Sequence, residues 1–333
     1  MQKFIMLVGL PGSGKSTYGK ELKKNLEGFF NNSVSYHSSD SIREELYGDE
    51  NIQGSAQDVF SLMQKRTIED IKNGVNSIIY DATNIKRKDR LGILNQVKAL
   101  NNTHKYNIDC ECHIVWARFE TCIERNNNRE RVVPEEVIWR MAKQFQTPWY
   151  DEGWDDIRII QRDSHYWYDD LPLDMSHDNS HHENDSIKEH IDRVRSIFDN
   201  QIQNKDKEED YEFLTEGGHE AMFNLSFSDT LDLSLLAKVH DIGKVYTKDF
   251  HNSKGEVTED AHYYQHQNVG AYMVLGLDHL CIENHLKIFI SYLTLLHMEP
   301  FFDKQPSNYW KKEVDPEIKK LIYLFNECDR KGA

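Results

Sequence analysis

The sequence lacks long hydrophobic runs and contains few cysteines, prolines and glycines. Its 333 residues include 5 Cys, 7 Pro and 17 Gly, whereas 38% are hydrophobic and 29% are charged. No stretch approaches the roughly 18–20 apolar residues of a membrane span, and no signal peptide is expected at the start. The odd number and uneven spacing of the cysteines argue against a disulfide scaffold and favour a reducing, cytoplasmic setting. This composition predicts about two globular domains and no membrane contact.

Charge and histidine are distributed unevenly along the chain. Residues 1–165 hold 23 basic and 24 acidic side chains, whereas residues 166–333 hold 17 basic and 32 acidic ones. Twelve of the 16 histidines also lie in the second part. An acidic segment repels polyanions unless it carries cations, so an acidic, histidine-rich half is compatible with a metal-loaded module. An acidic surface exposed to solvent, without any metal, would give the same numbers of acidic side chains and histidines. This alternative to a metal-loaded module stays open.

Short apolar runs alternate with amphipathic stretches over residues 1–163. The runs predict buried parallel strands, and the stretches between them predict helices. Residues 164–185 show no clear period and are the candidate linker. Over residues 186–333 only helical periodicity is found, at 186–199, 228–244, 262–276, 284–298 and 315–330. The sequence therefore predicts a parallel α/β domain followed by an all-α domain.

The strongest motif is Gly9–Thr17, which reads G-x-x-x-x-G-K-[ST] directly after the first apolar run. Glycines let backbone N–H groups converge on phosphate oxygens, and the helix that follows presents its positive end. Lys15 can reach the β- and γ-phosphates, and the Ser16 hydroxyl can ligate Mg²⁺. The motif predicts binding of ATP or another nucleoside triphosphate with Mg²⁺ through Gly12, Ser13, Gly14, Lys15, Ser16 and Thr17.

Polar residues follow the next two predicted strands. Asp40 and Arg43 form D-x-x-R after the run at 33–37, and Asp81 follows the run at 77–80. Because strand ends face the ligand crevice of a parallel sheet, Asp40 can accept the proton of an attacking hydroxyl and Arg43 can hold an anionic acceptor. Asp81 can join the Mg²⁺ shell. A helix N-cap aspartate followed by a surface arginine is the alternative for Asp40 and Arg43.

Arginines cluster at Arg125, Arg129 and Arg131. Such a cluster is suited to a lid that neutralises charge on a transferred phosphoryl group, although a plain surface loop is the alternative. The first domain has almost no net charge, so its contact with a nucleic acid depends on local basic patches such as residues 86–90.

Histidines and aspartates of the second domain fall on predicted apolar helix faces. An inward carboxylate without a partner is unfavourable, and a divalent cation held by imidazoles and carboxylates removes that penalty. A single inward histidine is more often a hydrogen-bonded core residue, but the combined set predicts a metal site. The candidates are His190, His240, Asp241, His262, His266, His297 and Asp329.

Residues 1–162 resemble the polynucleotide kinase branch of P-loop phosphotransferases. The resemblance lies in the segments GLPGSGKST, S-D-x-x-R, YDATN and RNxxR…VP. The roles that it implies are triphosphate and metal binding by Lys15 and Ser16, general base catalysis by Asp40, acceptor-phosphate binding by Arg43, and lid contacts by Arg125 and Arg129.

Residues 177–333 resemble the HD superfamily of metal-dependent phosphohydrolases through HDIGK, HxxxHxxVGAY and the C-terminal ECDRKG. The resemblance implies one or two divalent transition metals (Mn, Ni, Co, Fe or Zn), which supply a water nucleophile of lowered pKa. The implied residues are His190, His240, Asp241 and Asp329 for a first ion, His266 and His297 for a second ion or a phosphate contact, and Lys244 for the leaving phosphate.

The two modules together resemble fused enzymes that heal RNA ends. The resemblance implies phosphorylation of a 5′-hydroxyl end of RNA or DNA, and metal-dependent removal of a 2′-, 3′- or 2′,3′-cyclic phosphate. A separate ligase can join the resulting ends. Three alternatives remain: a kinase of a nucleoside, modified base or other small molecule with an HD nucleotidase, a regulatory nucleotide-binding protein, or a simple NTPase. The sequence leaves the native metal, the choice between RNA and DNA, and the oligomeric state open.

Overall fold

The computed structural model describes residues 1–28, 32–49, 52, 54–103, 105–180, 185–204, 211–213, 223–225, 230–277, 283–302 and 305–333. The chain divides into two compact units, one formed by residues 1–141 and 148–165 and the other by residues 142–147 and 166–333. The expected linker at 164–185 is not a separate segment in this division. Residues 164 and 165 belong to the first unit, and the residues from 166 onward belong to the second. Among the described residues, no helix is both long and apolar enough to cross a lipid bilayer.

The first unit is built on a parallel sheet. Its strands are β1 Gln2–Val8, β2 Val34–Ser38, β3 Ser77–Asp81, β4 Ile108–Trp116 and β5 Asp156–Gln161. They pair in the order β2-β3-β1-β4-β5, and each neighbouring pair is parallel. The residues of β3 and most of β1 are buried, as expected of parallel strands covered on both faces.

Helices connect these strands. They are α1 Lys15–Glu27, α2 Ser39–Tyr47, α3 Ala56–Lys72, α4 Arg87–Asn101, α5 Phe119–Asn127 and α6 Glu135–Ala142. The alternation of strand and helix confirms the predicted parallel α/β fold. Because β1 lies beside β3 and β3 beside β2, the loops that follow these three strands meet at one edge of the sheet.

The second unit consists mainly of helices: α7 Ile187–Asn204, α8 Thr230–Val239, α9 Lys244–Thr247, α10 His266–Val274, α11 Asn284–Leu296, α12 Asn308–Lys312 and α13 Pro316–Gly332. Two antiparallel strand pairs lie between the described helices. One pairs β6 Tyr211–Phe213 with β7 Phe223–Leu225, and the other pairs β8 Asp249–His251 with β9 Val257–His262. The prediction of an all-α domain is wrong in this respect. The β8–β9 hairpin turns at Asn252, which accepts two backbone N–H groups, and at Gly255, whose φ is +80°.

Two predicted helices are shorter than expected. The helix predicted at 262–276 begins only at His266, because β9 runs to His262. The helix predicted at 228–244 ends at Val239, and a tight turn precedes α9. A Cβ atom on Gly243 would lie 2.0 Å from the His266 carbonyl oxygen, so this turn packs its backbone directly against the start of α10.

A buried polar network lies on β4. Glu111 accepts hydrogen bonds from His113 Nε2 at 3.0 Å and from Lys3 Nζ, and His113 Nδ1 accepts one from the Tyr18 hydroxyl at 2.8 Å. Burial raises the pKa of Glu111, but the hydrogen bonds from His113 and Lys3 and the Arg158 charge outweigh it and lower this pKa to about 2. The ionised form of Glu111 therefore stabilises the fold.

Replacing Glu111 by Gln is expected to lower the free energy of unfolding by about 3 kcal/mol at pH 7. A carboxyl group whose pKa is lowered by folding stabilises the fold above its ordinary pKa, and that stabilisation is lost as the pH falls toward 2. Urea unfolding at pH 7 and at about pH 3 measures the difference between variant and parent, which should shrink at the lower pH. The control is Glu45→Gln, at an exposed pair with Arg66; equal losses in the two variants would contradict the interpretation.

Candidate active sites

The loop between β1 and α1 has a backbone that requires glycine at two positions. Gly12 and Gly14 have φ values of +80° and +94°. A Cβ atom on Gly12 would also lie 2.1 Å from the carbonyl oxygen of Cys122, on α5. The loop therefore curls tightly over the N-terminus of α1, an arrangement in which backbone N–H groups bind phosphate.

Lys15, Ser16 and Asp81 meet at the first turn of α1. The buried Lys15 ammonium donates a hydrogen bond to the Leu10 carbonyl oxygen at 2.8 Å, and burial lowers the pKa of Lys15. The Ser16 hydroxyl donates to Asp81 Oδ2 at 2.9 Å, and the Tyr36 hydroxyl donates to the same oxygen at 2.5 Å. Hydroxyl and carboxylate oxygens are ligands that Mg²⁺ prefers, so Ser16 and Asp81 fit a magnesium ion beside bound phosphates.

Asp40 lies in the first turn of α2, directly after β2. Ser38 caps this helix, since its side chain accepts the Asp40 N–H at 3.3 Å, and the N-cap interpretation of Asp40 is therefore wrong. The Asp40 carboxylate instead pairs through Oδ1 with Arg43 Nη1 at 2.7 Å and with Arg131 Nη1. The structure thus presents a carboxylate held by two guanidinium groups.

The three clustered arginines take three different positions. Arg125 Nη2 donates to the carbonyl oxygen of Arg162 at 2.8 Å, and Arg129 lines the cleft above the phosphate loop. Arg131 reaches Asp40. Sequence reasoning grouped Arg131 with its neighbours but gave it no separate role, because spacing alone does not show which guanidinium faces α2.

These side chains line one cleft of about 410 Å³ in the first unit. Ser13 does not line it: its side chain is fully buried, and its hydroxyl has no hydrogen-bond partner among the described residues. The predicted residues that line the cleft are Gly12, Gly14, Lys15, Ser16, Thr17, Asp40, Arg43, Asp81, Arg125 and Arg129.

The basic segment at 86–90 does not form the expected patch. Arg90 is fully buried and donates two hydrogen bonds to Glu152, at 2.7 and 2.5 Å. Arg87 lies 3.7 Å from Asp151. Carboxylates from a distant turn thus neutralise both guanidinium groups, so the prediction of a nucleic-acid contact through these two arginines is wrong.

Six buried side chains of the second unit form two adjoining groups, His190 with His240 and Asp329, and Asp241 with His266 and His297. Within each group the potential ligand atoms lie within 4.8 Å of one another. Asp241 joins the groups: its Oδ2 lies 3.3 Å from Nε2 of both His190 and His240, and its Oδ1 lies 3.2 Å from His266 Nε2. His262 is not a member, and its Nε2 contacts the Thr258 hydroxyl at 3.0 Å.

Backbone carbonyl groups orient the four histidines of this cluster. Each histidine has its Nδ1 atom within hydrogen-bond distance of a backbone carbonyl oxygen. The pairs are His190 with Gly332 at 3.3 Å, His240 with Ala237 at 2.9 Å, His266 with Tyr263 at 2.9 Å, and His297 with Thr294 at 2.7 Å. A proton on each Nδ1 satisfies these carbonyls, so each Nε2 is the ring nitrogen that remains for a metal. The Nε2 atoms face one another, with Nε2–Nε2 distances of 3.4 Å for His190 and His240 and 3.2 Å for His266 and His297. Ring nitrogens that converge in this way beside carboxylate oxygens form a donor set that fits a divalent metal.

The pKa values of the cluster are compatible with metal ligation. Burial lowers the pKa of His297 to about 3, which keeps this imidazole neutral. Burial raises the pKa of Asp329, but the hydrogen bond from His190 and the nearby His240 lower it to about 2. Burial lowers the pKa of His190, yet hydrogen bonds to Asp241 and Asp329 raise it to about 9. A metal that binds His190 therefore displaces a proton.

Lys244 and His177 adjoin the cluster. The buried Lys244 ammonium lies 2.7 Å from Asp241 Oδ2 and 3.2 Å from Nε2 of the buried His177. Lys244 therefore places a cation beside the proposed ligands, in a position suited to a phosphate. Sequence reasoning missed His177, because it lies in the aperiodic stretch that was expected to be a linker.

Comparisons with known proteins find similarity to the first part of the chain. Residues 4–148 match the family model of an AAA domain, whereas residues 166–333 lie outside the match. The L-seryl-tRNA(Sec) kinase of Methanococcus maripaludis is 29% identical over 157 residues, which are 45% of this chain and 55% of that protein. The chain thus spans about half the length of this curated relative.

Two solved structures are similar to parts of the chain. A chain of the Pnkp1/Rnl/Hen1 RNA repair complex is 21% identical, with a TM-score of 0.34 and coverage of 43% of each chain. Kti12 of Chaetomium thermophilum, solved with ADP-AlF3, is 16% identical, with a TM-score of 0.37 and coverage of 48% of this chain and 89% of Kti12. Similarities of this size are partial, and they assign no activity to this chain.

Proposed function

We propose that this protein is a bifunctional enzyme that heals nucleic-acid ends. Its first unit phosphorylates a 5′-hydroxyl end of RNA or DNA with ATP, and its second unit removes a 2′- or 3′-phosphate, including a 2′,3′-cyclic one. The observation that carries the kinase proposal is that Lys15, Ser16 and Asp40 line one cleft, which supports a role for Asp40 as general base beside a triphosphate. The name of the matched relative, a kinase of L-seryl-tRNA(Sec), supports the same class of reaction.

The proposed kinase reaction uses Asp40 as the proton acceptor. As the acceptor hydroxyl forms a bond to the γ-phosphorus, its proton passes to the Asp40 carboxylate. The bond between the γ-phosphorus and the β–γ bridging oxygen breaks, and its electron pair leaves with the nucleoside diphosphate. Lys15 and Arg129 lie where they can stabilise the charge of the transferred group. Ser16 and Asp81 would hold Mg²⁺, which would offset the charge of the phosphates.

The charge of the cleft favours an anionic acceptor. Five cations line it, against the two carboxylates of Asp40 and Asp81; the cations are Lys15, Arg43, Arg125, Arg129 and Arg131. MgATP brings about two net negative charges, so it leaves positive charge in the cleft uncompensated. A nucleic-acid end supplies a phosphate close to its terminal hydroxyl, whereas a neutral nucleoside does not. The electrostatic balance therefore supports a strand end over a nucleoside.

The second reaction is proposed from the donor set of the buried cluster. Imidazoles and carboxylates bind divalent transition metals, and such an ion supplies a water nucleophile at neutral pH. His190, His240, Asp241 and Asp329 would hold one ion, and His266 and His297 would complete a second position with Asp241. Lys244, beside Asp241, places an ammonium group where it can bind the phosphate that is released.

The two reactions are compatible when they act on different phosphates. A hydrolase that removed the phosphate added by the kinase would only consume ATP. Acting on the two ends of a strand break, the same reactions produce a 5′-phosphate and a free 3′-hydroxyl. These are the ends that a ligase joins.

Two oligonucleotides test the proposal. One carries hydroxyl groups at both ends and the other carries phosphates at both ends, and each is incubated with the protein, γ-labelled ATP, Mg²⁺ and Mn²⁺. We expect label on the first and release of inorganic phosphate from the second. Label that reaches a free nucleoside but no oligonucleotide would favour a small-molecule kinase, and label found only as free phosphate would favour an NTPase. A 3′-phosphate that is retained would contradict the hydrolase.

A further inference from the structure

Arg131 reaches the same carboxylate oxygen as Arg43. Arg43 Nη1 lies 2.7 Å from Asp40 Oδ1, and Arg131 Nη1 donates a hydrogen bond to the same atom. Arg43 belongs to α2, one turn after Asp40, whereas Arg131 belongs to the loop between α5 and α6. One carboxylate therefore holds guanidinium groups from two different elements side by side.

Buried hydrogen bonds close the loop that carries Arg131. The fully buried Asn126 donates from Nδ2 to the Val133 carbonyl oxygen at 2.7 Å and accepts the Val133 N–H at 3.0 Å. These bonds join a residue before Arg131 to a residue after it and so close the loop that carries it. The loop that carries Arg131 is therefore closed by its own buried hydrogen bonds, and the guanidinium of Arg131 reaches Asp40.

Asp40 compensates only one of the two positive charges beside it. The Arg43 and Arg131 side chains are 11% and 17% exposed, so water screens their charges only in part. The buried Arg43 Nε makes no hydrogen bond with any residue in the described part of the chain. A buried cation with an unsatisfied donor is unfavourable until an anion supplies the missing charge and acceptor.

We propose that Arg131 and Arg43 form a two-arginine clamp for a phosphate of the acceptor, which makes Arg131 a specificity-determining residue. This inference rests on the kinase function proposed above. Guanidinium groups bind phosphate through parallel N–H···O bonds that a lysine ammonium does not reproduce. Because Asp40 contacts both arginines, an acceptor hydroxyl that reaches Asp40 lies close to the clamped phosphate. The acceptor is therefore a nucleoside unit that carries both a free hydroxyl and a neighbouring phosphate.

The substitution Arg131→Ala in the whole chain tests the clamp with two acceptors. One is a nucleoside 3′-monophosphate, and the other is the same nucleoside without phosphate. We expect the ratio of their kcat/KM values to fall about 10- to 100-fold, mainly because KM rises for the phosphorylated acceptor. Phosphorylation of the plain nucleoside should change by less than about threefold, because it has no phosphate to clamp.

Two further variants separate charge from geometry. Arg131→Lys keeps the charge but loses the planar fork, and it should restore only part of the preference. Arg140→Ala removes an exposed arginine of α6 that is not among the residues lining the cleft, and it should leave the preference unchanged. An unchanged preference in Arg131→Ala overturns the clamp. An equal loss with both acceptors also overturns it, because that result indicates a purely structural role.

A different measurement applies if the parent protein phosphorylates neither acceptor. The proposed kinase function then fails, and the clamp is tested by calorimetric titration of inorganic phosphate into protein saturated with MgADP. Phosphate binding that is weaker by about tenfold or more in Arg131→Ala supports the clamp. Equal binding by the variant and the parent overturns it.

Discussion

Asp241→Asn is expected to remove metal from the buried cluster and to lower phosphohydrolase activity by at least about 100-fold. The two oxygens of Asp241 face different histidines: Oδ2 lies 3.3 Å from His190 and His240, and Oδ1 lies 3.2 Å from His266. An amide keeps the shape but replaces one oxygen by an NH₂ group, which has no lone pair for a cation. Loss of an outer partner of a metal ligand alone costs about 10- to 100-fold, so loss of a proposed ligand shared by both groups should cost at least the upper end of that range.

Three quantities are measured on the same preparation of Asp241→Asn: metal per chain, phosphate release from a 3′-phosphorylated oligonucleotide, and label transfer to a 5′-hydroxyl oligonucleotide. Label transfer should equal that of the parent. Asp249→Asn is the matched control, because Asp249 pairs with His251 at 2.7 Å on the exposed surface of the same unit. It should retain metal and both activities. Kinase activity that falls together with phosphatase activity in Asp241→Asn would contradict separate sites.

Asp40→Asn is expected to lower the rate of phosphoryl transfer by about 100- to 10,000-fold, the usual contribution of a general base. Asparagine preserves the volume of the side chain and still offers an oxygen to Arg43 and Arg131, but it does not take the proton of the acceptor. Binding of MgADP should change by less than about twofold, because Lys15 and Ser16 of α1 are untouched. Single-turnover transfer to a 5′-hydroxyl oligonucleotide and calorimetric binding of MgADP measure the two effects.

The matched control for Asp40 is Asp58→Asn. Asp58 also lies in the first turn of a helix, α3, but it is not among the residues that line the cleft. It should leave transfer and nucleotide binding unchanged. A transfer rate retained in Asp40→Asn would mean that another group accepts the proton. Loss of MgADP binding would mean that the substitution disturbs the phosphate loop.

The sequence predicted the fold of the first unit because the relevant signals are local. The phosphate loop needs glycines at positions where the backbone turns within a few residues, as Gly12 and Gly14 do. The apolar runs at 77–80 and 113–116 fall within β3 and β4 because parallel strands are buried on both faces. Patterns of this kind depend on neighbours in the chain, so they can be recognised before the fold is known.

The contacts that the sequence did not show depend on tertiary packing. Arg90 belongs to a basic run and resembles a surface residue, but Glu152 binds it in the core. His177 lies far in sequence from Lys244, and Arg131 lies far from Asp40. Periodicity indicates which face of an element is buried but not which partner it meets. Roles that depend on a distant partner therefore emerge only from the folded chain.

Anomalous diffraction tests directly whether the buried cluster is a metal centre. Crystals of protein soaked with Mn, Fe, Co, Ni or Zn are measured on both sides of each absorption edge. We expect at least one anomalous peak at about 2.0–2.2 Å from the Nε2 atoms of the cluster histidines, with Asp241 or Asp329 completing the site. A cluster that shows no peak at any edge, with only water or protons between its Nε2 atoms, would contradict this expectation.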